Sequence, residues 1–293
     1  ARGKSLQEGG AVYNFTGPQG FGIANATDAL YAIKTLVFEQ KKVSMEEYKR
    51  ALADNFGRGF SKERLTFLTR EVVDQLAAAG KQVTPEIAAA VAAGFRDLKL
   101  PEETVKRYDE LLKMIDELPK YGNDICEIDE FARDVAYTYT KPLEQYRNPR
   151  GGRFQAGLYP VSANVPLGAQ TGATPDGRLA NTPIADGVGP VAGRDVHGPT
   201  ATANSVSHLD HFIASNGTLF NQKFHPSALS GMEGLQKFIA LIRSFFDQKG
   251  MHMQFNVVDR NTLLDAQKHP EKYHNLIVRV WGWSGYFVEL DKE

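Results

Sequence analysis

The 293-residue chain is poor in cysteine. Cys126 is its single thiol, so no internal disulfide can form, and a reducing cytoplasm is the expected setting. There is no unbroken run of ~18 apolar residues, the length a membrane-spanning helix needs, and no transmembrane segment is expected. An excess of one charge sign is also missing. Lys and Arg number 34 against 35 Asp and Glu, a formal charge of −1, which argues against a nucleic-acid or membrane-surface partner. The opening Ala1-Arg2-Gly3-Lys4-Ser5 lacks both an initiating Met and the apolar core of a signal peptide, so a truncated or processed chain is expected.

Familiar catalytic signatures are lacking as well. Gly-x-Ser-x-Gly, the nucleophile elbow, does not occur. Gly17-Pro18-Gln19-Gly20-Phe21-Gly22 lacks the Lys-Ser/Thr ending of a phosphate loop and reads as a turn. His208 and His211 are three residues apart and could share a helical face. No cysteine or carboxylate cluster supplies further ligands, so no metal site is expected.

What is present has two textures. Residues 1–146 read as mainly helical after a glycine-rich entry. Apolar periodicity predicts a helix over 25–39, and Ser44-Met45-Glu46-Glu47 has the spacing of a capping box. Further helices are expected over 62–79, 85–93, 101–117 and 125–138. From Arg147 to about Thr200 the chain is dense in Gly, Pro, Asn and Asp, which marks long loops, with one strand expected at 154–162. An amphipathic helix over 232–248 follows. Strands at 253–258 and 276–280 flank a short helix at 261–268, a pattern suggesting a βα-type barrel or open sheet.

The unusual feature is Trp281-Gly282-Trp283, directly after the last predicted, buried strand. It can be read as a tight turn between core aromatics, with glycine supplying a positive φ and the tryptophans shielding it from water. It can equally be read as a place to hold a backbone radical, because a Cα without a side chain can share an unpaired electron with the flanking amides. Pattern alone leaves both open.

Arg279-Val280-Trp281-Gly282-Trp283 resembles the glycyl radical motif, Arg-Val-x-Gly-aromatic, of the pyruvate formate-lyase-like family. Collinear segments resemble the same family. They are Gly9-Gly10-Ala11-Val12-Tyr13-Asn14-Phe15-Thr16-Gly17-Pro18-Gln19, Tyr121-Gly122-Asn123-Asp124, Thr174-Pro175-Asp176-Gly177-Arg178, Asp186-Gly187-Val188, Gly198-Pro199-Thr200-Ala201 and His252-Met253-Gln254-Phe255-Asn256. The Gly9 and Thr174 segments look most like its dehydratase and C–X lyase branch.

The resemblance implies an α/β fold: the C-terminal part of a ten-stranded α/β barrel with a central glycyl radical loop, preceded by helical segments. On this reading residues 147–293 hold barrel strands and the glycine radical domain. Gly282 would carry the radical, and Arg279, Val280, Trp281 and Trp283 would be recognised by a radical-SAM activating enzyme with a [4Fe–4S] cluster. No bound cofactor beyond the modified glycine is implied. A homodimer working on a small-molecule substrate in anaerobic cytoplasm or a bacterial microcompartment is expected.

The family's Gly-Cys-x-Glu loop is not found here, and Cys126 matches a helical region away from the chemistry. A fragment that does not turn over alone is therefore expected. Arg153, Gln155 and Tyr159 would share one face of a pocket-lining strand. Formate acetyltransferase-type acyl transfer, a non-catalytic spare-part protein and a binding module are the competing readings.

Overall fold

A computed structural model describes residues 3–60, 62–96, 99–280 and 282–290. The expected helices are present with small shifts. They are α1 (Ile23–Ile33), α2 (Met45–Ala53), α3 (Lys62–Ala78), α4 (Pro85–Arg96), α5 (Glu102–Asp116), α6 (Cys126–Leu143), α7 (Asn164–Gly168), α8 (Pro199–Ser207), α9 (Gly231–Asp247) and α10 (Arg260–Lys268). The sequence reading missed α7 and α8, which lie in or next to the loop-rich region. It also ran α1 straight on to Glu39. Instead Lys34–Glu39 is a π-helical segment, closed by Gln40 N–H donating to Thr35 O five residues back. The capping expectation at Ser44 holds: its Oγ accepts from Glu47 N–H at 3.1 Å, a contact worth about 1 kcal/mol.

The strands are short. β1 (Gln19–Gly20), β2 (Gly157–Leu158) and β3 (Gly217–Thr218) form a three-stranded parallel sheet in that order. β4 (Asn221–Phe224) pairs in parallel with β5 (Gln254–Val257). β6 (Ile277–Val280) and β7 (Trp283–Tyr286) form an antiparallel hairpin. The strand expected over 154–162 shrinks to Gly157–Leu158, because Phe154 makes only an isolated bridge to Thr16. Among the described residues β6 joins no ladder with β5. The strand–helix–strand pattern therefore ends in a hairpin, with β6 taking β7 as its partner. Nor is β6 buried as expected: Ile277 is exposed and the other three residues are half-buried.

Two compact units result. Residues 28–119 and 165–183 form one. Its core joins Leu36, Val43, Tyr48, Ala51, Phe56, Tyr108, Leu111 and Ile115. Tyr108 Oη donates to the Asp54 carboxylate at 2.8 Å, and Tyr48 Oη donates to Pro175 O at 2.6 Å. In the same unit the buried Arg178 guanidinium gathers the loop around it. It donates to the carbonyls of Thr171, Gly172, Leu179 and Thr182 and to Thr174 Oγ1.

The other unit comprises residues 1–27, 120–164 and 184–293. Here α9 lays Phe238 against Phe255 of β5, with ring centres 4.6 Å apart, and Phe245 against Phe220 and His211. Its loops are knitted by buried asparagines. Asn123 donates to Lys120 O and Arg194 O and accepts from Val196 and His197 N–H, using its whole carboxamide. Asn148 accepts from the N–H groups of Arg150 and Gly152 and donates to Asn14 O. At Gly152 the backbone of Asn14 comes so near that an added Cβ would lie 1.4 Å from Asn14 O, so only glycine fits.

The two histidines considered as ligands are otherwise engaged. His208 Nδ1 lies 3.0 Å from Asn204 O. His211 is buried, with Nε2 at 2.9 Å from Val206 O and Nδ1 at 2.9 Å from Thr218 Oγ1. A carbonyl can only accept, so Nε2 carries the proton and Nδ1 takes one from the Thr218 hydroxyl.

Two measurements test this packing. Asn123→Ala orphans several backbone groups and should cost on the order of 3 kcal/mol, read as a lowered denaturant midpoint. Burial holds the His211 imidazole below its ordinary pKa, and burial followed by the nearby Arg279 charge does the same at His252. Below about pH 6.5 the unfolded histidines bind protons that the folded ones refuse, so stability falls with pH until the folded groups also titrate. His211→Gln should reduce this loss, seen as a smaller difference in denaturation midpoint between about pH 7.5 and about pH 5.5.

Candidate functional site: the glycine hairpin

The β6–β7 hairpin is tight because Val280 pairs with Trp283, leaving two residues for the turn. Gly282 occupies that turn at φ +102°, in the left-handed region that favours glycine, as one sequence reading expects. Among the described residues, its own chain neighbours aside, nothing lies within 4 Å of where its Cβ would stand. Trp283 does not shield it as expected. Gly282 is exposed and Trp283 is 47% exposed, because the indole lies over Gly285 instead, where an added Cβ would be 2.7 Å from Cζ3. Trp281 lies outside the described residues.

β6 is anchored through side chains. Arg279 and Ser284 are opposite one another, and alternation along an antiparallel pair turns the Arg279 N–H and C=O away from β7. The Asn256 carboxamide meets both groups: Oδ1 accepts from Arg279 N–H at 2.7 Å, and Nδ2 donates to Arg279 O at 2.8 Å. The Arg279 side chain reaches back to Gln254 Oε1 at 3.3 Å and to Ser284 Oγ at 3.4 Å. From Gln254 the polar contacts continue to Asn221 and from Asn221 to the Asp186 carboxylate. Asp186 and Asn221 line a cavity of about 460 Å³ with Thr202, Gln222, Lys223 and His225. His252 fixes the approach to β5, its Nδ1 accepting from Phe220 N–H at 3.3 Å, which requires that nitrogen to be unprotonated.

The segment holding Arg153, Gln155 and Tyr159 runs beside residues 16–18. Arg153 O accepts from Thr16 N–H, Gln155 N–H donates to Thr16 O, and Gly157 N–H donates to Pro18 O. Arg153 is exposed, while Gln155 and Tyr159 are half-buried. Tyr159 Oη accepts from Asn216 Nδ2 at 2.9 Å, leaving its own proton free to donate. Cys126 is exposed at the start of α6, and the Glu130 carboxylate pushes its thiol pKa up.

Sequence reading missed the roles of Gln254, Asn256 and Ser284. A signal existed in the alternation Gln254-Phe255-Asn256, which puts the aromatic ring on one face of β5 and both carboxamides on the other.

Comparison with known proteins bears on this arrangement. A pyruvate formate lyase-like family model matches residues 1–168, and a glycine radical model matches residues 184–288, a stretch that includes Gly282. The "Probable dehydratase YbiW" of Escherichia coli (strain K12) is 38% identical over 299 residues, which cover 100% of this chain and 31% of that protein. A structure from a study of 1,2-propanediol dehydration in Roseburia inulinivorans superposes with a TM-score of 0.93 at 63% identity, covering 99% of this chain and 35% of that one. The glycerol-bound B12-independent glycerol dehydratase from Clostridium butyricum gives a TM-score of 0.79 at 49% identity, covering 99% and 31%. This chain thus spans about a third of the length of these relatives. A matched family model over most of the sequence, a second over the segment that carries the glycine hairpin, and likeness along nearly the whole chain have one reading: the chain belongs to the pyruvate formate lyase-like glycyl radical enzymes.

Proposed function

We propose that this chain is the C-terminal part of a glycyl radical lyase or dehydratase that cleaves a C–O, C–N, C–S or C–C bond of a small polar substrate, with Gly282 as the radical store. The observation that carries this reading is Gly282 itself, without a side chain, in a two-residue turn within the matched glycine radical segment. The named relatives, which concern dehydration, favour a dehydratase over an acyltransferase.

Loss of one hydrogen atom from the Gly282 Cα leaves an unpaired electron that the adjoining amide nitrogen and carbonyl can share. A radical-SAM activating enzyme with a [4Fe–4S] cluster would remove that atom, recognising Arg279, Val280, Trp281 and Trp283. The Cα radical then takes a hydrogen atom from a cysteine thiol on a second loop, restoring glycine and leaving a thiyl. The thiyl takes a hydrogen atom from substrate and returns one to product. The exposed Cys126, at the start of α6, corresponds to a helical region of the family away from the chemistry and is not the thiol of this exchange.

Arg153, Gln155 and Tyr159 would contribute to the substrate pocket. A phenol and a carboxamide suit hydroxyl groups, and a guanidinium suits an anionic one. In this reading residues 1–146 form the mainly helical part of the barrel domain, and residues 147–293 supply barrel strands and the glycine radical domain. The short parallel pairs β1–β2–β3 and β4–β5 would belong to a ten-stranded barrel in a homodimeric enzyme of anaerobic cytoplasm or a microcompartment.

The test is anaerobic treatment of the full-length enzyme with its activating enzyme, followed by electron paramagnetic resonance. A carbon-centred radical is expected, and none in Gly282→Ala, where alanine at φ +102° also strains the hairpin by roughly 1–2 kcal/mol. A silent wild type, or a radical that survives in the variant, overturns the proposal. Exposing the activated enzyme to oxygen should cut the backbone near Gly282 and release a short C-terminal piece, detectable by mass spectrometry.

A further inference from the structure

We infer that Asn256 is the positioning residue for Gly282: its carboxamide fixes which residue of β6 meets β5, and so where the glycine turn stands. The inference rests on the reading of Gly282 as the radical store.

The hairpin has no backbone ladder to β5 among the described residues, so side chains must set its place. Gln254 and Asn256 are two apart on β5 and therefore share a face. Asn256 presents one acceptor and one donor, the pattern of a neighbouring strand, and Arg279 answers with its N–H at 2.7 Å and its C=O at 2.8 Å. That match selects a register. Val278 and Val280 turn their N–H and C=O groups toward Gly285 and Trp283 of β7, so a one-residue slip would offer Asn256 no partner. The next acceptable register lies two residues away and would carry Gly282 about 6.6 Å along the strand.

A second contact supports the same register. The Arg279 guanidinium reaches Gln254 Oε1 and Ser284 Oγ, tying the two strands of the hairpin and β5 through one side chain. Gly282 is three residues beyond Arg279 in a hairpin whose turn allows little slack, so the clamp at Arg279 sets the position of the Cα that reacts. Hydrogen-atom transfer depends steeply on that position, since misplacement by an ångström can cost ~100-fold in rate.

The experiment uses the full-length enzyme, its activating enzyme, and the variants Asn256→Ala and Asn256→Asp. Radical content is counted by electron paramagnetic resonance, and turnover is divided by the spins present. Amide hydrogen exchange is followed at Arg279, Val278 and Val280.

In Asn256→Ala the glycyl radical should still form, while turnover per spin falls about tenfold or more. The Arg279 amide should exchange faster, with Val278 and Val280 still protected by β7. Asn256→Asp keeps the acceptor for Arg279 N–H but loses the donor to Arg279 O, and should fall between wild type and alanine. Wild-type turnover per spin in Asn256→Ala, or in Asn256→Asp should the alanine variant not fold, overturns the inference. A wild-type enzyme that forms no radical indicts the proposed function instead. The exchange comparison then still decides whether Asn256 holds β6, because unchanged exchange at Arg279 overturns the clamp in either case.

Discussion

A backbone N–H or C=O taken out of water has to be paired, at a cost of about 1–3 kcal/mol for each group left without a partner. This chain must meet that requirement with little regular structure to help. The strands of its three-stranded sheet are two residues long, and the region from Arg147 to Pro199 is mostly loop. Asparagine carboxamides take over the work of a ladder, because each offers a donor and an acceptor in the geometry of a peptide group. Asn25 serves Ala185, Asn55 serves Ala180, Asn164 serves Ile184, and Asn123 and Asn148 each serve several groups at once. Asn256 is the same device applied to the hairpin that carries Gly282.

This substitution explains which parts of the fold were legible in the sequence. Helices announce themselves by local signals, and the cap at Ser44 and the apolar faces of α5 and α9 lie where periodicity puts them. Short parallel strands announce nothing, because two residues set no alternation. β2 could be placed only within a segment several residues too long, β1 fell in a stretch read as a turn, and β3 and β4 drew no expectation. The π-helical turn at Lys34–Glu39 is invisible for a related reason: one extra residue in a turn leaves the apolar content of Thr35, Leu36 and Val37 unchanged. The hairpin partner β7 drew no expectation, and within it Gly285 makes room for the Trp283 indole.

The candidate site was legible to a different degree at each residue. Gly282 stood out through its motif, and its positive φ follows from the turn. Its surroundings did not stand out. Asn256 and Gln254 are 26 and 28 residues upstream in sequence, and the polar run from Arg279 through Gln254 and Asn221 to Asp186 spans four separate segments. Contacts over such separations leave no periodic trace. Arg153, Gln155 and Tyr159 show the opposite case. The alternation that groups them is visible in the sequence, yet only two residues of their segment form regular strand.

Arg178 shows such pairing with one side chain serving several carbonyls of a single loop. Its guanidinium binds carbonyls from Thr171 to Thr182, so this stretch carries its own template and draws little of its shape from a neighbouring strand. Lysine could not replace it, since a single ammonium point charge cannot span a ring of carbonyls that a planar five-donor fork does. Loss of that fork would withdraw a donor from the carbonyls of Thr171, Gly172, Leu179 and Thr182 at once.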